Sequence, residues 1–170
     1  MNRKTVCFAV ILTLLLLAGC GGKKQAADPV LKIGGVTIEN TLSAESVLDV
    51  LNGLGGSYEY AEAISCVYDG MDKTYTYENA VVYTYPDGGA DRLMELYCTG
   101  GDVQTPAGIV LGDSRDKVVE TYGDGYTERG IVLSYEKETA SPDNEPASLY
   151  FELTDGKVSA IGITAEHRGE

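Results

Sequence analysis

Nucleophilic hydrolysis needs a serine or cysteine beside a general base, and the only histidine of this chain, His167, stands near its end, past the last apolar segment. A side chain at that position is expected to be solvated. Zinc and other transition metals need several thiolate or imidazole ligands, which a few dispersed thiols and one distant histidine do not supply. For calcium, Asp69-Gly70-Met71-Asp72 and Asp124 beside Gly125 offer oxygen ligands, yet they lack the spacing of an EF-hand loop and read as turns. The 26 acidic residues contain many carboxylate pairs of the kind glycosidases use, and nothing selects one of them. The glycine pairs at 21–22, 55–56, 88–89 and 100–101 are scattered through turns and form no phosphate loop. No catalytic residue, metal site or cofactor is therefore assigned, and the chain is read as non-enzymatic.

The cysteine whose surroundings do specify chemistry is Cys20. Met1-Asn2-Arg3-Lys4 carries two positive charges, and an apolar run from Val6 to Ala18 follows, broken only by Thr13. A stable membrane-crossing helix needs about 20 apolar residues, so this run is too short. A basic start, a short apolar stretch and small residues before a cut describe a signal peptide. Leu17-Ala18-Gly19-Cys20 resembles the lipobox of bacterial lipoproteins. That resemblance implies cleavage between Gly19 and Cys20 and a diacylglyceryl group on the Cys20 thiol. Residues 1–19 are then a signal peptide and 20–30 a tether; Gly21 to Pro29 has no large apolar side chain and is expected to be flexible. Lys23 and Lys24 stand where they would meet anionic head groups or simply keep the linker soluble. The expected location is the extracytoplasmic side of a cell membrane.

Charge and composition narrow the partners. Among the 170 residues, the hydrophobic content of 44% is enough for a packed core. The formal charge is −13, and it becomes about −15 once the segment bearing Arg3 and Lys4 is removed. Nucleic acid, whose phosphates require clustered basic side chains, is excluded as a partner. With Cys7 removed and Cys20 lipidated, Cys66 and Cys98 are the remaining thiols. Outside the cytoplasm they either form a disulfide closing a loop of about 32 residues or pack as two separate buried thiols.

The elements that would position these residues come in two similar sets. Ser43 and Ser114 each open a helical segment as an N-cap, with Glu45 and Asp116 in the first turn, where the helix dipole favours an acid. Val47, Val50, Leu51 and Leu54 recur at helical spacing in the first, Val118 and Tyr122 in the second. Short strand-like pieces precede them at 35–38 and 108–111. Farther on, 81–85 and 149–153 alternate with period two, and residues 81, 83 and 85 are predicted to face the core, like 149, 151 and 153. Asp87-Gly88 and Asp155-Gly156 mark the turns that follow. Leu93, Leu96 and Cys98 then match Val158, Ile161 and Ile163 in an irregular spacing that predicts a bulge in both. Residues 64–68 read as one more strand, and 139–147 as a polar loop. The predicted fold is α+β: two tandem repeats, 31–103 and 104–166, each a short helix or helical pair followed by an antiparallel β-meander. They would form one continuous sheet or two packed small domains, and 167–170 would be a tail.

Two such units, each opened by a Gly-apolar-x-apolar piece and a serine-capped helix, resemble the tandem fold of the β-lactamase inhibitor protein (BLIP). They also resemble the single unit of small lipoproteins of the SmpA/OmlA, BamE-like type. Ser65-Cys66-Val67-Tyr68-Asp69-Gly70, Tyr75-Thr76-Tyr77 and Thr84-Tyr85-Pro86-Asp87-Gly88-Gly89 are similar to stretches of Gram-positive lipoproteins. The resemblance implies a binding module and places no partner residue.

Of 12 tyrosines, eight fall between Tyr58 and Tyr97, a concentration that suits either sheet core or an interface. Tyr75, Tyr77, Tyr83 and Tyr85 take core-like positions in the alternation, and among the others Tyr58, Tyr60 and Tyr68 are the better interface candidates. The functional expectation is a lipid-anchored, non-enzymatic module that binds an envelope or secreted protein across a sheet face. The alternatives are an envelope-polymer hydrolase using an Asp/Glu pair and a solute-binding lipoprotein.

Overall fold

A computed structural model describes residues 26–168; the signal peptide, Gly19, Cys20, the start of the tether and the last two residues lie outside the described residues. In chain order the elements are β1 (Val30–Ile33), β2 (Val36–Glu39), α1 (Ala44–Gly53), β3 (Tyr58–Ile64), β4 (Met71–Tyr77), β5 (Ala80–Asp87), β6 (Ala90–Cys98) and β7 (Val103–Gln104). After them come α2 (Arg115–Tyr122), β8 (Thr127–Arg129), β9 (Val132–Glu136), β10 (Asn144–Glu145), β11 (Ser148–Thr154), β12 (Lys157–Thr164) and β13 (His167–Arg168). The largest sheet has eight strands in the order β3-β4-β5-β6-β12-β11-β9-β8, every neighbour antiparallel. A three-stranded sheet, β2-β1-β7, and a two-stranded one, β10-β13, complete the described residues.

This overturns the expected α+β class of two tandem helix-plus-meander repeats. The described residues are mostly β, 50% strand against 13% helix. The two helices hold only 10 and 8 residues. The ladder does not break at mid-chain, because β6 and β12 pair from Glu95↔Thr164 to Cys98↔Ile161. Periodicity was also a poor guide to the short strands β1, β7, β10 and β13, whose pairing depends on distant partners. Residues 64–68 are not a strand of their own: β3 ends at Ile64, and Ser65 donates its backbone N–H to Gly70 O to close a turn. Of the piece 108–111, only Val110 makes a β-bridge, to Gln104.

Local chemistry explains the helices. The Ser43 hydroxyl accepts from Ser46 N at 3.2 Å, and the Ser114 hydroxyl accepts from Lys117 N at 3.2 Å, satisfying amides that have no partner inside the helix. α1 turns Val47 and Leu51 inward, and α2 turns Val118 and Tyr122 inward. They meet Val82, Leu96, Leu133, Leu149, Phe151, Ile161 and Ile163, which project from one face of the large sheet. Leu31, Ile38 and Ile109 close the same core. Two tyrosine hydroxyls tie helix ends to the sheet: Tyr77 donates to Asn52 Oδ1 at 3.0 Å and Tyr135 to Gly123 O at 2.8 Å. The irregular apolar spacing of β6 and β12 coincides with register shifts at Tyr83/Thr84 and Glu152/Leu153.

The phase of β5 is the reverse of that expected. Val82 and Thr84 are buried, whereas Tyr83 is exposed. A strand shifted by one residue turns every side chain to the other face, so Tyr83 lies on the side of the sheet opposite the helices.

Candidate interaction face

Among the described residues, the helices and the three-stranded sheet cover one face of the eight-stranded sheet, and the strands themselves build the surface of the other. Register places Tyr97, Gly162, Tyr150, Ser134 and Thr127 in one row across β6, β12, β11, β9 and β8. A second row runs Tyr83, Glu95, Thr164, Ser148 and Glu136. Glu152, Val132 and Arg129 form a third. Apart from Gly162, which lies beneath Tyr150, these residues line an open groove of about 490 Å³.

Gly162 organises its centre. A Cβ there would stand 2.2 Å from Tyr150 Cζ and 2.3 Å from the Tyr150 hydroxyl, so the phenol occupies the space a side chain would need. Lying flat over β12, Tyr150 reaches across to donate its hydroxyl to Glu95 on β6. The reciprocal link runs from Tyr97 on β6 to Glu152 on β11 at 2.9 Å. The two rings stack with 6.5 Å between centroids and 14° between planes. Burial, and then the charge of Glu95, hold the Tyr150 proton far above the usual phenol range. Burial and the hydrogen bond to Glu152 push Tyr97 up to about 12. Both phenols stay protonated donors well above neutral pH, and the crossed hydrogen bonds orient their rings. Beside them, Ser148 and Thr164 share a hydrogen bond at 2.9 Å between their hydroxyls.

Sequence reading missed this cluster. Two signals pointed to it: the mirrored spacing of Glu95-Leu96-Tyr97 and Tyr150-Phe151-Glu152, and a glycine, Gly162, inside an otherwise apolar strand, which marks a close approach. The tyrosines singled out instead are divided between two places. Tyr58 and Tyr60 stand on edge strand β3, 43% and 50% exposed, and contact Tyr75 and Tyr77 at 5.1–5.3 Å between centroids. Tyr68 lies beyond the other end of β3. It stacks on Tyr85 at 4.6 Å, and its hydroxyl accepts from Arg168 N at 2.6 Å. His167 is not a loose end: it pairs with Glu145 in β13, and its ring lies 6.1 Å from that of Tyr85.

The Cys66–Cys98 disulfide is not formed; Cys66 is an exposed free thiol and Cys98 a buried one. Topology forbids the bond. Cys66 lies in the turn just before β4, while Cys98 pairs with Ala80, just past its far end. A seven-residue strand separates them by roughly 20 Å, against the ~7 Å limit between Cα atoms of a disulfide. Among the described residues, no group of three or more His, Cys, Asp or Glu is placed to hold a metal ion, and no helix is long and apolar enough to cross a membrane. Compared with protein-family profiles, curated proteins and solved structures, the chain matches none.

Proposed function

We propose that this protein is a lipid-anchored interaction module of the cell envelope that presents the helix-free face of its sheet to another envelope or secreted protein. The observation that carries the reading is the groove centred on Tyr97, Gly162 and Tyr150, where two aromatic rings are locked by crossed hydrogen bonds to Glu152 and Glu95. Aromatic side chains with satisfied polar tips and fixed rotamers suit protein recognition, because little conformational entropy is lost on binding. Glu95, Glu136 and Glu152 stand against the single guanidinium of Arg129 in this groove, so a partner surface bearing basic side chains suits it best. The Cys20 lipid and the following tether would keep the domain at the membrane while leaving the groove free to meet that partner.

Capture of envelope proteins on the full-length chain, with Tyr83→Arg as the matched control, tests this reading. Tyr83 borders the groove and is exposed, so the substitution changes the surface without emptying the core. A protein retained by the native chain and lost from Tyr83→Arg supports the proposal. Equal retention by both chains, or no retention together with turnover of a glycan or ester panel, contradicts it.

A further inference from the structure

Among the described residues the eight-stranded sheet ends at β3, and this edge carries a pattern that complements itself. All seven residues of Tyr58–Ile64 are exposed, Ile64 at 81%. Such a long open edge is usually blunted by charge, proline or a covering element, since its unpaired amides and carbonyls template further strands. The Ser65 amide bonds to Gly70 O, and the register Tyr58↔Tyr77 through Ile64↔Met71 continues that ladder. Antiparallel hydrogen bonding alternates residue by residue. Glu59, Ala61 and Ala63 therefore direct their backbone groups into β4, while Tyr58, Tyr60, Glu62 and Ile64 direct theirs outward.

We propose that β3 pairs with β3 of a second copy of this chain, antiparallel about a twofold axis at Ala61. This inference is independent of the groove and its partner. In that register Tyr58 opposes Ile64, Tyr60 opposes Glu62, Glu59 opposes Ala63, and the two Ala61 residues face each other. Every outward amide and carbonyl of the strand finds a partner. The exposed ring of Tyr58 meets the exposed Ile64 side chain, and cross-strand aromatic–aliphatic pairs of this kind favour a sheet. Tyr60, which already donates to Glu62 of its own strand, faces the same acceptor type across the seam. No like charges stand directly opposite; Lys73, the register partner of Glu62 on β4, is itself paired with Asp91 at 2.7 Å. The opposite edge, β8, has only three residues and offers no equivalent run. A twofold β3 contact closes on itself, so it yields a dimer and not a filament.

The test uses the full-length chain in its membrane, in a Cys66→Ser background. The paired Ala61 positions are a non-hydrogen-bonded pair about 4.5 Å apart, inside the range for a disulfide. Ala61→Cys should therefore shift under mild oxidation to twice the monomer mass, while Glu59→Cys should not. Sedimentation of the detergent-extracted chain should give the dimer mass for the native sequence and the monomer mass for Tyr60→Glu, which sets carboxylates opposite each other. Adding Glu62→Lys to Tyr60→Glu should restore the dimer. A monomeric native chain, Ala61→Cys that crosslinks no more than Glu59→Cys, or a Tyr60→Glu variant that stays dimeric would overturn the proposal.

Discussion

Tyr150 crosses β12 over Gly162 to donate its hydroxyl to Glu95 on β6. The relationship ties three strands together on the face that neither helix of the described residues covers. It makes the middle of the groove a rigid element, and it explains why a glycine sits in a strand otherwise rich in β-branched and apolar residues.

Gly162→Ala should displace the Tyr150 ring, since its Cβ would overlap the phenol. Overpacking of this kind costs about 1–3 kcal/mol. Tyr150→Phe keeps the ring and removes the donor to the half-buried Glu95, a loss of about 1–3 kcal/mol when an acceptor is left unpaired. Urea unfolding followed by circular dichroism should show both variants with lowered midpoints and an unchanged slope.

Alkaline pH should unfold the protein in a defined window. Burial pushes Tyr77 and Tyr135 up to about 12, burial and Glu152 do the same for Tyr97, and Tyr150 is raised farther still. An unfolded chain ionises its tyrosines near pH 10. A raised folded value means that the folded state keeps protons the unfolded state releases. Stability is thus intact below about pH 10 and falls as pH climbs toward 12 and beyond. Phenolate absorbance of these buried rings should rise together with loss of the circular dichroism signal; a rise completed while the fold persists would contradict the assignment.

The two thiols should behave as different species. Cys66 is exposed, whereas burial pushes the Cys98 thiol up to about 12. Only the thiolate alkylates readily. Iodoacetamide should modify Cys66 in the folded protein and Cys98 only after unfolding, with no mobility change on reduction. Protection of both thiols that is relieved by reductant would restore the disulfide.

Cys20→Ala should prevent lipid attachment, leaving the domain in the medium or held as uncut precursor. Mass spectrometry of the membrane fraction checks this directly. A Cys20→Ala chain that still carries lipid would remove the anchor from the account.

The capped helices could be read from the sequence because their determinants are local: Ser43 and Ser114 satisfy amides only three residues away. The fold class was misread because the rest is not local. Short strands such as β7 depend on pairing with the distant β1, and the large sheet is unified by β6 and β12, which are far apart in the chain. The phase of β5 was misread because Val81, Val82 and Tyr83 are all apolar or aromatic, while the buried Thr84 is polar and leaves its hydroxyl without a hydrogen bond. That inversion hid Tyr83. Tyr97 and Tyr150 escaped for a related reason: their meaning lies in the diagonal pairing to Glu152 and Glu95, which requires the register of three strands.

Photo-crosslinking in intact cells tests the central claim most directly. A photoreactive side chain at Tyr83 borders the groove, and one at the exposed Val36 reports from the separate three-stranded sheet. A partner using the helix-free face should crosslink from Tyr83 and not from Val36, and the product should disappear in a Gly162→Ala chain that remains folded. Crosslinking from Val36 alone, or from Tyr83 regardless of the state of Tyr150, would contradict the claim that this groove is the binding face.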